Sequence, residues 1–452
     1  MRDVLRLGVS VVFPLFLLLS AIPSAVAETQ AETVTLTQAI QAALQGGPDA
    51  KAAGLTLEAA RVQYAQAVAQ SSMSLDGSAN AGWSQRFGSP GSDSLGAGLS
   101  FSLPQTMTTA SLSANYGITS NNFGVSLSVG QTIWDGYGSP IDGGKNAASL
   151  KQSALSLQVK ELNAESSRQN IILRVKQAYF QVLSAQNTVT ARRKALVQQQ
   201  AQYERTKAMA DNQIATSLEL RQADINRRSS ELDLAAAEAS LAASRRSLSL
   251  AGGWPGDRIY TVAEAADPVA PALEIPALVA TAMEKRIDVR QQKLNAQSAA
   301  ISLDLRTAAK SPTVSANGGI SLDQWNLGVS AKIPLVDSGV AAAQLRDTQI
   351  SIEQARLQSE QLAQTVTTEV TAAVTSLKDL IARAEIAVER RDLAAAQYSL
   401  AEARLEQGVG STLDVLTALV SLTNADVSLS KAKSDVYLGI LDLQDAIGTI
   451  EE

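Results

Sequence analysis

Chemistry in this chain would have to come from carboxylates and guanidinium groups, because no His and no Cys occur among its 452 residues. That absence removes the commonest general base, the commonest metal ligand, thiol nucleophiles and disulfides together. Two carboxylate pairs, Glu161 with Glu165 and Asp224 with Glu231, stand at helical spacing. Charges so placed are usually solvated, and nothing around them implies a desolvated cleft. Two further acids are better positioned: Asp414 follows the break Glu406-Gln407-Gly408-Val409-Gly410-Ser411-Thr412, and Glu219 follows the break at Asn212 to Ser217. An acid in the first turn of a helix stabilises its N-terminal dipole. Arg404 and Arg205, just before the breaks, are placed to pair with these acids, against the default of an ordinary surface pair. This is electrostatic chemistry, and no enzyme, cofactor or metal is expected from it.

The elements that carry these residues are rods. From Val340 to Leu405 there is no Pro and no Gly, and apolar residues recur at helical spacing: Ile350, Leu357, Val366, Val370, Val374, Leu377, Ile381, Leu393, Leu400. Roughly 66 residues at ~1.5 Å each predict a helix of about 100 Å, too long for an ordinary globular domain. The rod also occurs twice. A shift of 195 places Ala396-Gln397-Tyr398 on Ala201-Gln202-Tyr203, Leu413-Asp414 on Leu218-Glu219, Ser411-Thr412 on Thr216-Ser217 and Gly448 on Gly253, without a gap. The chain reads as an internal duplication.

Residues 1–27 read as a secretory signal: Arg2 and Arg6, an apolar run from Leu7 to Ile22, and Ala25-Val26-Ala27 before Glu28. The first repeat then spans 28–253, with strands within 74–134 and long helices over 146–251; a linker covers 254–274; the second repeat spans 275–449, with strands within 313–335 and long helices over 339–447. Each half opens with a helix, a turn and a second helix. The hydropathy period then changes from 3.6 to 2, as in Val314, Ala316, Gly318, Ile320, Leu322 and in Trp325, Leu327, Val329, Ala331, Ile333, Leu335. Leu75 to Trp83 and Phe123 to Ile133 alternate likewise. Between them, Leu95 to Leu103 and Ala110 to Tyr116 form extra strand-like material with no counterpart in the second half, read as a hairpin inserted into an extracellular loop.

Strands of ~10 residues with one apolar face suit either a transmembrane barrel wall or a soluble sandwich with one wet face. Their place between long helices, behind an export signal, favours the wall. Trp83, Phe123, Trp134 and Trp325, with Phe101 and Tyr116, fit an aromatic girdle at the lipid boundary. Four strands cannot close a barrel and an open edge cannot sit in lipid, so several protomers must pool them. The net charge of −6, with Lys and Arg scattered, argues against nucleic acid as a partner.

The mature chain resembles the TolC-type outer-membrane ducts of bacterial efflux pumps and type I secretion systems. The likeness rests on the duplicated plan, the junctions Thr132-Ile133-Trp134-Asp135-Gly136 and Ile333-Pro334-Leu335-Val336-Asp337-Ser338-Gly339, Ala178-Tyr179-Phe180-Gln181-Val182-Leu183, and above all Gly408-Val409-Gly410-Ser411-Thr412-Leu413-Asp414-Val415-Leu416. It implies a mainly α fold with a β-barrel part: a homotrimeric, twelve-stranded barrel in outer-membrane lipid, four strands per protomer, continued by a helical barrel of about 100 Å across the periplasm. It further implies a periplasmic tip at Thr216, Ser217, Gly408, Gly410, Ser411 and Thr412 that meets an adaptor protein coupled to an inner-membrane RND or ABC transporter. Asp414 and Glu219 would ring the aperture, and Thr417 stands where relatives can carry a second acid. In repeat one, both Asp135-Gly136 and Asp142-Gly143-Gly144 match the junction pattern, as though about seven residues had been inserted, leaving the start of the first long helix open. If the extra hairpin joined the wall, the barrel would have eighteen strands. The competing readings are a periplasmic adaptor, which would carry one helical hairpin flanked by β domains, and a structural coiled-coil protein of the envelope.

Overall fold

The computed structural model describes residues 32–84, 92–118, 120–255, 260–264, 272–335 and 339–450; the signal segment at 1–27 and Val336-Asp337-Ser338 lie outside them. Among the described residues no helix is long and apolar enough to cross a membrane.

Each half begins with two short helices. α1 (Leu36–Gly46) starts at a capping box in which Thr35 and Gln38 exchange hydrogen bonds of 3.0 and 3.3 Å; α2 (Pro48–Ser71) begins with Pro at its first turn, where a missing N–H costs nothing. Their counterparts are α5 (Ile275–Lys285) and α6 (Ile287–Ala308). The long helices are α3 (Gly144–Asp211) followed by α4 (Ser217–Gly252), and α7 (Val340–Glu406) followed by α8 (Thr412–Ile447). With 68 and 67 residues, α3 and α7 each run about 100 Å. α4 and α8 close on Gly253 and Gly448, both left-handed at φ 70° and 71°. These caps need glycine twice over: a Cβ on either would come within 3.0 Å of the backbone at Gly47 or Arg286, where the two short helices meet.

Two apolar cores hold the helices together near the middle of α3 and α7. The first gathers Ile171, Val175, Tyr179 and Val182 of α3 with Leu241 and Leu248 of α4 and Ile40 of α1. The second gathers Val366, Val370, Val374 and Leu377 of α7 with Val436 and Leu443 of α8 and Ala282 of α5. The α3 and α7 sets are the same positions shifted by 195, as are those of α4 and α8. At about 1.5–3 kcal/mol for each large apolar side chain buried, these rungs fix the helix pairs at one level. Repeat one adds a short parallel pair, β1 (Glu32–Val34) with β6 (Tyr260–Val262), so the expected linker contains a strand. Tyr179 ties this pair to α3 by donating to the Ala263 carbonyl at 2.9 Å. In repeat two the corresponding level is held by Arg286, which pairs with Asp288 at 2.7 Å and Glu369 at 2.6 Å and donates to the Ala446 carbonyl at 3.1 Å.

The remaining strands form one antiparallel sheet: β2 (Ser74–Ser84), β3 (Ser92–Leu103), β4 (Thr108–Gly117), β5 (Asn122–Trp134), β7 (Thr313–Ser321) and β8 (Trp325–Lys332), in that spatial order. This corrects the sequence reading of the extra hairpin. β3 and β4 are not an extracellular loop: they lie between β2 and β5 over their whole length, with continuous pairing from Ser74↔Ser102 to Ser84↔Ser92 and from Thr108↔Gln131 to Gly117↔Asn122. Among the described residues this sheet accordingly has six strands, where the resemblance implied four per protomer. The physical reason is that a hairpin inserted into an antiparallel sheet goes out and returns, which leaves the flanking strands antiparallel and the chain on its original course.

Candidate functional site

The sheet has two chemically different faces. On one lie Leu75 and Trp83 of β2, Leu95, Leu99 and Phe101 of β3, Leu112 and Tyr116 of β4, Phe123, Leu127 and Val129 of β5, Ile320 of β7, and Leu327 and Val329 of β8; the register aligns them across every strand pair. The opposite face is Ser, Gly and Asn: Ser78 and Asn80, Ser100, Ser111 and Ser113, Ser126 and Ser128, Asn317, Ser315 and Ser330. Here serine meets serine across the strands, Ser111 with Ser128 and Ser113 with Ser126 at 2.7 Å, Ser315 with Ser330 at 3.0 Å. These apolar side chains, apart from the half-buried Phe101, are exposed on the protomer, Leu327 by 77%. An apolar face this large is stable against hydrocarbon and costly against water.

The aromatic residues fall at its ends. Trp83 lies beside Asp93, Phe123 pairs with Tyr116, and Trp325 pairs with Ile320, all on rungs next to the turns farthest from the helices. Trp134 is at the opposite end of β5, beyond a register shift between Thr132 and Trp134, and Phe101 sits opposite Leu75 near that same end.

At the junction in repeat one both candidate aspartates are used. α3 begins at Gly144, with Gly143 as its cap residue. Asp142 folds over the intervening loop, its Oδ1 accepting from the Ser139 N–H at 2.6 Å. Asp135, at the end of β5, spans the whole insertion: its carboxylate accepts from the N–H groups of Tyr137 at 2.8 Å, Gly138 at 2.9 Å and Lys145, in the first turn of α3, at 2.6 Å. Burial pushes this carboxyl up, but the three N–H groups and the Lys145 charge outweigh it and hold it below the usual carboxylate range.

The other ends of the rods are the two tips. Their backbones are the same shifted by 195: Ile214 and Ala215 donate to Met209 at 2.8 and 3.2 Å, and Val409 and Gly410 both donate to Arg404 at 3.0 Å. Each turn contains one left-handed residue, Gln213 at φ 59° and Gly408 at φ 75°. Each following helix opens on a capping box, Thr216 with Glu219 and Ser411 with Asp414. The Glu219 carboxylate accepts from the Thr216 N–H at 2.7 Å and its hydroxyl at 2.8 Å, and these bonds hold it below its ordinary value. Asp414 accepts from the Ser411 N–H at 3.2 Å. Both acids thus complete helix starts. The expected pairing with Arg205 and Arg404 is not found among the described residues: both arginines are exposed, and the caps occupy the acids instead. Ser217 is exposed at the start of α4, whereas Thr412 is buried at the start of α8.

Four residues that the sequence reading did not single out stand at these tips. Ile214 is exposed by 71%, Leu218 by 75%, Val409 by 76% and Leu413 by 53%. Large apolar side chains flanking a polar helix reversal were the signal available for them. The carboxylate pairs considered for catalysis are occupied by arginines: Asp224 and Glu231 both bind Arg227, Glu165 binds Arg290 at 3.4 Å, and Glu161 lies 3.9 Å from Arg61.

A two-faced sheet joined end to end with paired rods defines a membrane-anchored duct, a conduit without covalent chemistry. The family model described as outer membrane efflux protein matches residues 39–253 and 276–449, and the chain belongs to that family. It is an outer-membrane channel that extends into the periplasm, not an enzyme. Among its relatives is the outer membrane efflux protein BepC of Brucella suis, 24% identical over 335 residues covering 72% of each chain. The solved structures similar to it include CusC, with a TM-score of 0.72 at 19% identity over 91% of this chain and 92% of that one. VceC of Vibrio cholerae matches with a TM-score of 0.70 at 21% identity over 91% and 96%. The family works with an adaptor and an inner-membrane transporter in tripartite pumps and is trimeric in its structures.

Proposed function

We propose that three copies of this internally duplicated chain close a single barrel and form the exit duct of a tripartite efflux pump, with the tips docked on a periplasmic adaptor. The observation that carries this reading is the open sheet. Among the described residues β2 and β8 are the outer strands of the sheet and run antiparallel, so β8 of one copy can pair with β2 of the next and leave no edge in lipid. The helices repeat the pattern: near the sheet, α3 packs between α2 and α6, and α6 against α7, so the outer flanks of α2 and α7 face neighbouring copies. Ile350, Leu357, Leu393 and Leu400 of α7, all large and exposed on the protomer, supply apolar surface for those contacts.

The exposed apolar residues Ile214 and Leu218 of one tip and Val409 and Leu413 of the other are the surface offered to the adaptor, and Asp414 and Glu219 set the charge of the aperture. An adaptor or a purely structural coiled coil needs no two-faced membrane sheet. The experiment is to solubilise the outer membrane in mild detergent and follow the protein by electrophoresis with and without heating. A heat-sensitive trimer supports the reading, and a freely soluble monomer overturns it. Deletion of the gene should raise sensitivity to toxic compounds, and complementation with Ile214→Asp and Val409→Asp should fail to restore resistance although trimers form.

A further inference from the structure

We propose that the membrane barrel of this protein is an eighteen-stranded, serine-lined pore as wide as the helical duct beneath it, so that the outer membrane segment places no size limit of its own on the cargo. The inference rests on the trimeric reading above and deepens it: three copies of a six-stranded sheet make eighteen strands. Strands spaced ~4.8 Å apart and tilted by ~40° take about 6 Å of circumference each, so eighteen strands give a ring of about 110 Å where twelve give about 75 Å. Four helices per protomer meet the sheet, α2, α3, α6 and α7. Twelve helices at ~9 Å spacing make a ring of about 110 Å. The inserted hairpin removes the mismatch between the two rings.

The hairpin is built into the wall at both faces and at its inner end. Leu95, Leu99 and Phe101 on β3 and Leu112 and Tyr116 on β4 continue the apolar face, while Ser100, Ser111 and Ser113 continue the polar one. Twelve residues of β3 at ~3.3 Å, tilted as above, rise about 30 Å, the thickness of a bilayer core. Its inner turn, Pro104–Thr106, is seated on the first turn of α3: Asn146 donates to the Pro104 carbonyl at 2.7 Å, and Gln131 to Thr106 at 2.6 Å. Met107 occupies the space beside Gly144, where an added Cβ would lie 2.0 Å from its terminal methyl. The lengthened junction Asp135 to Gly143 and the extra hairpin, both peculiar to repeat one, therefore meet at one place, the longer loop admitting the turn between the wall and α3.

The native chain has no Cys, which makes the test direct. Full-length protein with single substitutions Leu99→Cys, Leu112→Cys, Ser100→Cys or Ser113→Cys is reconstituted in liposomes and spin-labelled. The expected pattern alternates: the two leucine sites are accessible to oxygen and shielded from a nickel chelate, and the two serine sites are the reverse. Water accessibility at all four sites would place the hairpin outside the wall and overturn the proposal. Exclusion of neutral polymers added from the outer face supplies the second measurement. Removing residues 92–117 should shrink the radius of the largest polymer admitted by about one third; an unchanged cut-off in a folded deletion variant overturns the widening. Trimer formation is scored separately by cross-linking in detergent, so a monomer with the alternating label pattern would count against the oligomer and not against the wall.

Discussion

The two tips and the two halves of the wall have diverged in opposite ways. At the tips the residues differ, Asn212-Gln213-Ile214-Ala215-Thr216 against Gln407-Gly408-Val409-Gly410-Ser411, yet the backbone hydrogen bonds and the capping boxes coincide. In the wall the two halves share their alternating pattern, yet repeat one supplies four strands and repeat two supplies two. The difference teaches which feature each region must preserve. A helix reversal has only a few ways to satisfy its orphan N–H and C=O groups, so its backbone is constrained while side chains vary. An antiparallel sheet grows by whole hairpins, and any hairpin with the right two faces is accepted.

The largest effects are expected in the wall. Leu127→Arg, in the middle of the lipid-facing side of β5, should destabilise the inserted protein by about 2–4 kcal/mol, and Ser128→Arg on the opposite face should cost less than half as much. Urea titration of the protein in detergent or lipid checks both, and equal losses would deny that the faces differ.

Next comes the junction, which has no equivalent among the described residues of repeat two. Asp135→Ala leaves three N–H groups without their acceptor, and a loss of about 2 kcal/mol is expected. Because this carboxyl sits below its ordinary value when folded, its contribution is present at neutral pH and is lost as the pH falls through that lowered value. Acid unfolding of the native protein and of Asp135→Asn should therefore converge at low pH.

The caps come third and should be symmetrical. Thr216→Ala and Ser411→Ala should each cost about 1 kcal/mol, measured by thermal melting, and unequal losses would break the equivalence of the tips. Glu219→Gln keeps an acceptor at the same capping position and removes only the charge. Conductance that rises in a Glu219→Gln, Asp414→Asn double variant would assign the acids to the aperture, and unchanged conductance would leave them as caps alone. An effect of similar size has opposite signs at the two tips: Gly408→Ala should cost about 1 kcal/mol and Gln213→Gly should add a comparable gain, since both positions are left-handed and only one carries glycine.

Much of this was legible in advance. The placement of Glu219 and Asp414 in the first turn of a helix could be read from the sequence, and the structure closes each into a capping box within four residues. Within one protomer Arg205 and Arg404 do not reach the tip acids, whose carboxylates are held by the nearest N–H groups. The exposed Ile214 and Val409 were readable as apolar residues in turns, but their exposure depends on what packs against each turn, which no local spacing states.

By itself the sequence determined the rods, their breaks, the duplication and the two-faced strands, all of which depend on periodicities of a few residues or on comparison of the chain with itself. Only the tertiary structure decided that the hairpin at 92–117 stands in the wall, that Asp135 reaches across to α3, and that the sheet has six strands among the described residues, with β2 and β8 outermost. Alternation fixes which face of a strand is apolar, but the neighbour of a strand is set by hydrogen bonds between segments far apart in the chain, and no local spacing encodes that choice.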